Sequence, residues 1–235
     1  LNMETTNVIN QIGNTPLIKL KQVSELTECN IYGKAEYFNP GGSVKDRAAL
    51  YIVKNALKNQ KLEKGGIIVE GTAGNTGIGL AVVCKEYGLK LKVVIPKTQS
   101  TEKKQLLKKM GAELIEVDAV PYTNPNNYIK QSKVIAENLN KTNNHGVVWA
   151  NQFDNLENTK SHIETTAEEI WTQTGGEING FTCAVGTGGT LAGVSMGLKK
   201  RNKNIKIALS DPMGSSLFSF IKYKRLENKG NSITE

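Results

Sequence analysis

Residues Ile67 to Pro96 read IIVEGTAGNTGIGLAVVCKEYGLKLKVVIP. The apolar run Ile67 to Val69 predicts a buried strand, Ile78 to Tyr87 a helix stopped by Gly88, and Lys92 to Ile95 a strand ended by Pro96. Strand, helix, strand within thirty residues is one βαβ unit, which requires parallel strands with the helix crossing over one face.

The alternation continues on both sides of this stretch. Thr101 to Met110 reads as a helix closed by Gly111, and Leu114 to Val117 as the next strand. A loop rich in Pro and Asn, Pro121 to Asn127, precedes a helical spacing over Tyr128 to Leu139 and a short strand, Val147 to Trp149. Ser161 to Thr174 carries Ile163, Ala167, Ile170 and Trp171 at helical intervals and ends at Gly175 and Gly176. Phe181 to Val185, Leu191 to Lys200 and Ile205 to Leu209 predict a further βαβ unit. The reading is an α/β protein with open, twisted parallel sheet.

Composition sets outer bounds. A chain of 235 residues that is 38% hydrophobic and 22% charged has enough apolar surface for a full core. Nothing in it approaches the ~20 consecutive apolar residues that span a bilayer, so the expectation is no membrane association and a cytoplasmic location. Cys29, Cys84 and Cys183 are odd in number and have no CxxC spacing; they read as small core residues, with no metal site implied. The net charge of +8 raises nucleic acid as a partner. Lys103, Lys104, Lys108 and Lys109, however, share a predicted helix with an apolar stripe of Leu106, Leu107 and Met110, without the interleaved aromatics that stack on bases. They read as a solvated face. The chain opens on Leu1 and closes on Ser232 to Glu235 without a terminal helical pattern, which reads as a piece of a longer protein.

Three glycine-rich turns carry the chemistry. In Pro40 to Arg47, PGGSVKDR, Ser43 and Asp46 have capping-box spacing, and Val44, Ala48, Ile52 and Ala56 supply the stripe of the helix that follows. Lys45 then falls in the first turn of a helix, where the macrodipole disfavours an ammonium ion. A neutral amine is what Schiff-base chemistry needs; a lysine lying along the surface is the other reading. The second turn, Gly71 to Gly77, GTAGNTG, lies between a strand and a helix, where N–H groups and the hydroxyls of Thr72 and Thr76 converge on an anion. Gly74, Gly77 and Gly79 run GxxGxG, the reverse of the dinucleotide fingerprint. The third, Gly186, Thr187, Gly188, Gly189, Thr190, again joins a strand to a helix, and Leu191 stands where that fingerprint needs glycine. Both turns read either as phosphate or carboxylate cradles or as plain tight turns. His145 reads as a solvated loop residue. His162 opens a helix and reads as a capping or supporting group rather than as an acid or base. No HExxH, GxSxG or paired-carboxylate design occurs.

Taken in order and spacing, PGGSVKDR (40–47), GTAGNTGIG (71–79) and GTGGTLAG (186–193), with GNTPL (13–17) and NQF (151–153), closely resemble the cysteine synthase and cystathionine β-synthase family. The resemblance implies a fold type II pyridoxal-phosphate enzyme of two α/β domains: residues 1–40 with 152–235 form the larger cofactor domain, and 41–151 the smaller, mobile substrate domain. It implies pyridoxal 5'-phosphate as cofactor, carried by Lys45. Gly186, Thr187, Gly188, Gly189 and Thr190 would hold the phosphate and Asn75 the ring hydroxyl. Thr72, Thr76 and Gln152, with Ala73 and Gly74 of the substrate loop, would hold the substrate carboxylate. The implied activity is β-replacement, O-acetylserine plus sulfide giving cysteine and acetate, in a homodimer. Alternatives are serine or phosphoserine as donor, homocysteine as acceptor, and a non-catalytic truncated binding protein.

Three departures bear on this. Ala73 stands where the family commonly has Ser, which opens the identity of the substrate. Gly71 replaces a common Pro, and Thr166, Ala167, Glu168 replace Thr-Gly-Pro; these read as structural. The family's chain continues past Glu235, where it completes the larger domain and supplies the partner of the cofactor's pyridine nitrogen. Residues 1–235 alone are therefore expected to bind the cofactor poorly.

Overall fold

Strand β3, Ile67–Gly71, is buried along its whole length because helices cover both faces of the sheet it centres. In the computed structural model, which describes residues 7–227, it pairs in parallel with β4, Lys90–Pro96, and with β6, Val147–Trp149; β4 pairs in parallel with β5, Ala112–Val117. The order β5-β4-β3-β6 places the strand expected from IIVE at the middle. Sequence neighbours are joined by helices: α3, Asn75–Glu86, between β3 and β4; α4, Thr101–Lys109, between β4 and β5; and α5, Tyr128–Asn140, before β6.

Two apolar layers sandwich this sheet. On one face Ile68, Leu91, Val93 and Ile95 meet Ala49, Ile52 and Val53 of α2, Lys45–Lys58, together with Leu80, Val83 and Cys84 of α3. On the other, Ile67, Val69 and Val94 meet Ala136, Ile135 and Leu139 of α5. Alternate strand residues feed alternate layers, as the pleat demands. Each fully buried Val, Leu or Ile contributes roughly 1.5–3 kcal/mol. Before the sheet, β1, Leu17–Lys19, pairs antiparallel with β2, Tyr32–Lys34, on either side of α1, Lys21–Thr27. After it comes α6, Leu156–Ser161.

The chain divides into two compact units between Ser161 and His162. The second unit begins with a π-helical turn, His162–Thr166, followed by α7, Ala167–Gln173. Strands β7, Gly180–Ala184, and β8, Lys206–Ser210, pair in parallel around α8, Gly189–Arg201, and α9, Ser216–Tyr223, ends the described part. Its core is Ala167, Ile170, Val194, Leu198 and Ile205. Helices α7 and α8 approach closely because Gly197 has no side chain: a Cβ there would overlap that of Ala167.

Several expectations need correcting. The helix expected over Ser161–Thr174 begins five residues earlier and is interrupted by the π-helical turn, which periodicity cannot register. Helix α3 starts at Asn75 rather than Ile78, because Gly74 takes an extended N-cap conformation and the glycines after it stay helical. The capping box does not form. The Asp46 carboxylate accepts from the backbone N–H of Gly41 instead, while the Ser43 hydroxyl accepts from the N–H of Lys45 at 3.2 Å. Of the cysteines only Cys84 lies in the core; Cys29 is exposed beyond the end of α1, and Cys183 is half-buried. In the lysine-rich α4, Leu107 is buried but Leu106 is exposed, and Lys104 is tied at 2.7 Å to Glu116. The expectation about Ser232 to Glu235 lies outside the described residues. Among the described residues no helix is long and apolar enough to cross a membrane.

Gly79, within α3, sets the spacing of α2 and α3. A Cβ at Gly79 would come within 3.0 Å of Asp46 Oδ1 and 3.1 Å of its backbone. Gly79→Val is therefore expected to lose roughly 1–3 kcal/mol of stability through overpacking, read from the urea midpoint; an unchanged midpoint would show that the two helices can part freely.

Candidate functional site

Three helices begin at the three glycine-rich turns, and two of those turns follow parallel strands at their carboxyl ends. That is where open α/β sheets receive ligands. Lys45 is the first residue of α2 and is half-buried. The chain reaches it through Gly42, whose φ of 76° is the left-handed conformation that glycine takes without strain.

A buried polar cluster fixes the approach to Lys45. Arg47, 1% exposed, donates through Nε to Glu36 Oε2 at 2.8 Å and through Nη2 to Glu36 Oε1 at 2.7 Å. The hydroxyl of Thr15 donates to Glu36 Oε1 at 2.6 Å, the amide of Asn39 donates to Glu36 Oε2 at 3.0 Å, and the N–H of Gly13 donates to Asn39 Oδ1 at 2.8 Å. The segment GNTPL is thus bound to the segment that carries Lys45. Burial works to raise the pKa of Glu36, but Arg47, aided by Thr15 and Asn39, outweighs it and holds the carboxyl below its ordinary value. Next to Lys45, burial pushes the Asp46 carboxyl up to about 6 against the Gly41 hydrogen bond, with Glu36 adding to the rise. Its Oδ1 has no partner.

The second turn sits at the end of β3. Thr72 and Thr76 are buried, Ala73 and Gly74 half-buried, and Asn75 is exposed as the first residue of α3. Gly74 N–H donates to Thr72 Oγ1 at 3.1 Å, and a Cβ on Gly74 would meet nothing within 4 Å. Thr76 Oγ1 donates to Gln152 Oε1 at 2.5 Å, which brings together two residues 76 apart in sequence. Asn151, which precedes Gln152, has a φ of 48°. No side chain caps α3, so the N–H groups of Asn75 and Thr76 at its start remain available to an anion, while that of Gly77 donates to Gly74 O at 3.2 Å. The Gly71 departure has a structural cause: a Cβ there would lie 2.7 Å from Ile129 Cα and from Tyr128 O, so α5 packs where a proline ring would stand.

In the second unit, the turn after β7 places Gly188, φ 84°, as N-cap of α8 with no side-chain cap, and Gly189 N–H faces Thr187 Oγ1 at 3.4 Å. A Cβ at Gly186 or Gly188 would meet nothing within 4 Å, so the cradle is open. His162, 1% exposed, holds Thr190: its Nε2 is 3.2 Å from Thr190 Oγ1, and its Nδ1 is 2.9 Å from Thr166 Oγ1. The supporting role expected of His162 is what these contacts describe. His145 is exposed, as expected, and pairs with Glu63 at 2.8 Å. Sequence reasoning missed Glu70, a buried acid in strand β3. Its signal was an acidic residue inside an otherwise apolar run.

Residues 8–230 match the family model described as pyridoxal-phosphate dependent enzyme. The chain belongs to that family. It is 54% identical over 227 residues to cysteine synthase 1 of Neurospora crassa, covering 95% of this chain and 59% of the relative. Among solved structures, a hydrogen sulfide-producing enzyme from Fusobacterium nucleatum superposes with a TM-score of 0.79 at 36% identity, covering 97% of this chain and 71% of that one. The O-acetylserine dependent cystathionine β-synthase from Helicobacter pylori does so with 0.80 at 35%, covering 92% and 69%. The α/β fold is that of the fold type II pyridoxal-phosphate enzymes. The chain spans about three-fifths of the length of the curated relatives it matches first.

The residues present fit the cofactor by their chemistry. An uncapped helix start preceded by an open glycine turn, with hydroxyls at Thr187 and Thr190, is a donor set for a phosphate. Lys45 supplies an amine, and the exposed Asn75 an amide. Among the described residues no group of three or more His, Cys, Asp or Glu is placed to hold a metal ion.

Proposed function

We propose that the whole protein catalyses pyridoxal-phosphate-dependent β-replacement, converting O-acetylserine and sulfide to cysteine and acetate. The observation that carries this reading is the cluster of Thr72, Ala73, Gly74 and Thr76 with Gln152 at the carboxyl end of β3, in a chain 54% identical to a cysteine synthase. A cluster of hydroxyls, an amide and uncapped N–H groups suits an amino-acid carboxylate.

When bound, the cofactor supplies an electron sink for charge developing at the substrate α-carbon. Lys45 would anchor it by its amine, and Nζ, when free, would take the α-proton as general base. Gly186 to Thr190 hold the phosphate, with His162 steadying the Thr190 hydroxyl. Asn75 holds the ring hydroxyl. Thr72, Thr76 and Gln152 orient the substrate by its carboxylate, which sets the α-hydrogen against Lys45. Residues 41–151, moving as the smaller domain against 1–40 with 152–235, exclude water from the reacting carbons. The same reading carries a homodimer and a cytoplasmic location.

Steady-state assay of the whole protein with each donor and acceptor tests the assignment. The highest kcat/KM is expected for O-acetylserine with sulfide; faster turnover of serine or phosphoserine, or of homocysteine as acceptor, would overturn the substrate assignment while leaving the cofactor chemistry standing.

A further inference from the structure

Glu70 is 1% exposed, one residue before the substrate loop. It accepts hydrogen bonds from the backbone N–H groups of Asn151 and Gln152 and from the side-chain amide of Gln152. Its Oε2 has no partner. The orientation of the Gln152 amide follows from these bonds, since its nitrogen is given to Glu70 and its oxygen is left to receive the Thr76 hydroxyl at 2.5 Å. In this arrangement Thr76 spends its proton on Gln152, and Gln152 donates to Glu70.

An arriving carboxylate meets two obstacles here. The side-chain donors of Thr76 and Gln152 are already engaged, and the ligand brings a second negative charge beside a buried acid, an arrangement in which both groups do not stay ionised. A single proton on Glu70 removes both. Protonated at Oε2, Glu70 has an O–H to give to Gln152 Oε1, so the amide turns over and the orphaned oxygen gains its missing partner. Gln152 Nε2 then faces the ligand, and the Thr76 hydroxyl is released to donate as well. We propose that Glu70 is a positioning residue that takes up a proton as the amino-acid carboxylate binds, turning the Gln152 amide so that Gln152 and Thr76 both donate to the ligand.

The surroundings of Glu70 agree with this. Burial outweighs the three N–H donors and raises its carboxyl to about 8, so the free protein gives up this proton above that pH, and binding there takes it back up. Burial and the Glu70 charge raise the Tyr128 phenol above its ordinary value, so it stays neutral over the same range. Strand β4 sets Val93 beside it in register, and β6 ends at Trp149, with Ala150 following. These bring no further charge.

The inference rests on the reading that Thr76 and Gln152 hold the substrate carboxylate, and the test separates the two. Calorimetric titration of the cofactor-loaded whole protein with propionate, a carboxylate with no amine, in two buffers of different ionisation enthalpy counts the protons taken up. About one proton per propionate is expected near pH 9, with the Kd rising roughly tenfold per pH unit above the free-state titration of Glu70. In Glu70→Gln, whose amide can donate to Gln152 at every pH, no proton is expected to be taken up and the Kd is expected to stay flat. Propionate binding by the unaltered protein without proton uptake overturns the proposal, and this count needs no variant to fold. Uptake that persists in Glu70→Gln overturns it too. Binding that survives both Thr76→Ala and Gln152→Ala shows instead that the carboxylate site lies elsewhere, and the underlying reading fails with it.

Discussion

Lys45→Ala in the whole protein is expected to abolish the visible absorption of the covalently held cofactor and to lower turnover by about 10³-fold or more, the scale of a lost general base combined with a lost anchor. The fold is expected to survive. Lys45 is half-buried at the first position of α2, and alanine is the best helix former, so the change in stability is expected within about 1 kcal/mol. That combination distinguishes a reacting amine from a structural one. A surface lysine, the alternative its position alone leaves open, would lose neither colour nor rate. Adding a small primary amine such as ethylamine is expected to restore part of the turnover to Lys45→Ala, because the missing group is a base and not a contact. A variant that keeps its colour and rate would move the catalytic amine elsewhere in the chain.

How far such a site can be read from sequence depends on whether its residues are near one another in the chain. Lys45 at the start of a helix, and the β3-α3-β4 crossover around the second turn, follow from apolar period and glycine placement, which are local signals. The start of α3 at Asn75 was obscured because glycines at 74, 77 and 79 look like a loop, whereas Gly77, close against Leu107, and Gly79, close against Asp46, lie within the helix. The link between Thr76 and Gln152 spans 76 residues and leaves no local trace. Family resemblance, not pattern, placed Gln152 beside the turn. Glu70 is the instructive miss. An acid in a run of Ile, Ile and Val contradicts its strand unless something buried needs it, and what needs it lies in a loop eighty residues away.

The same non-locality hides the cluster beneath Lys45, and it leads to the largest stability effect expected for this chain. Arg47→Ala leaves the Glu36 carboxylate, whose side chain is only 16% exposed, without its cation, and breaking a buried pair by removing one partner costs about 3–5 kcal/mol. Arg47→Lys is expected to recover less than half of this, since a point charge cannot serve both Glu36 oxygens and Thr15 as the guanidinium does. The double variant Arg47→Met with Glu36→Leu is expected to be more stable than Arg47→Ala alone, because no unpaired charge remains. The pH dependence carries a sign for each acid. Glu36 has its folded value lowered, so its contribution is full above its ordinary 4.5 and is lost as pH falls through the folded value; in Arg47→Ala the folded value rises and that acid limb is expected to shrink. Asp46 runs the other way. Its folded value of about 6 lies above 3.8, so its favourable contribution is full below 3.8 and is lost as pH rises through about 6, and Asp46→Asn is expected to remove that decline. Urea midpoints between pH 3 and 8 read both limbs. An Arg47→Ala midpoint close to that of the unaltered protein would show that Thr15 and Asn39 satisfy Glu36 on their own, and that the approach to Lys45 is set by the turn at Gly41 and Gly42 instead.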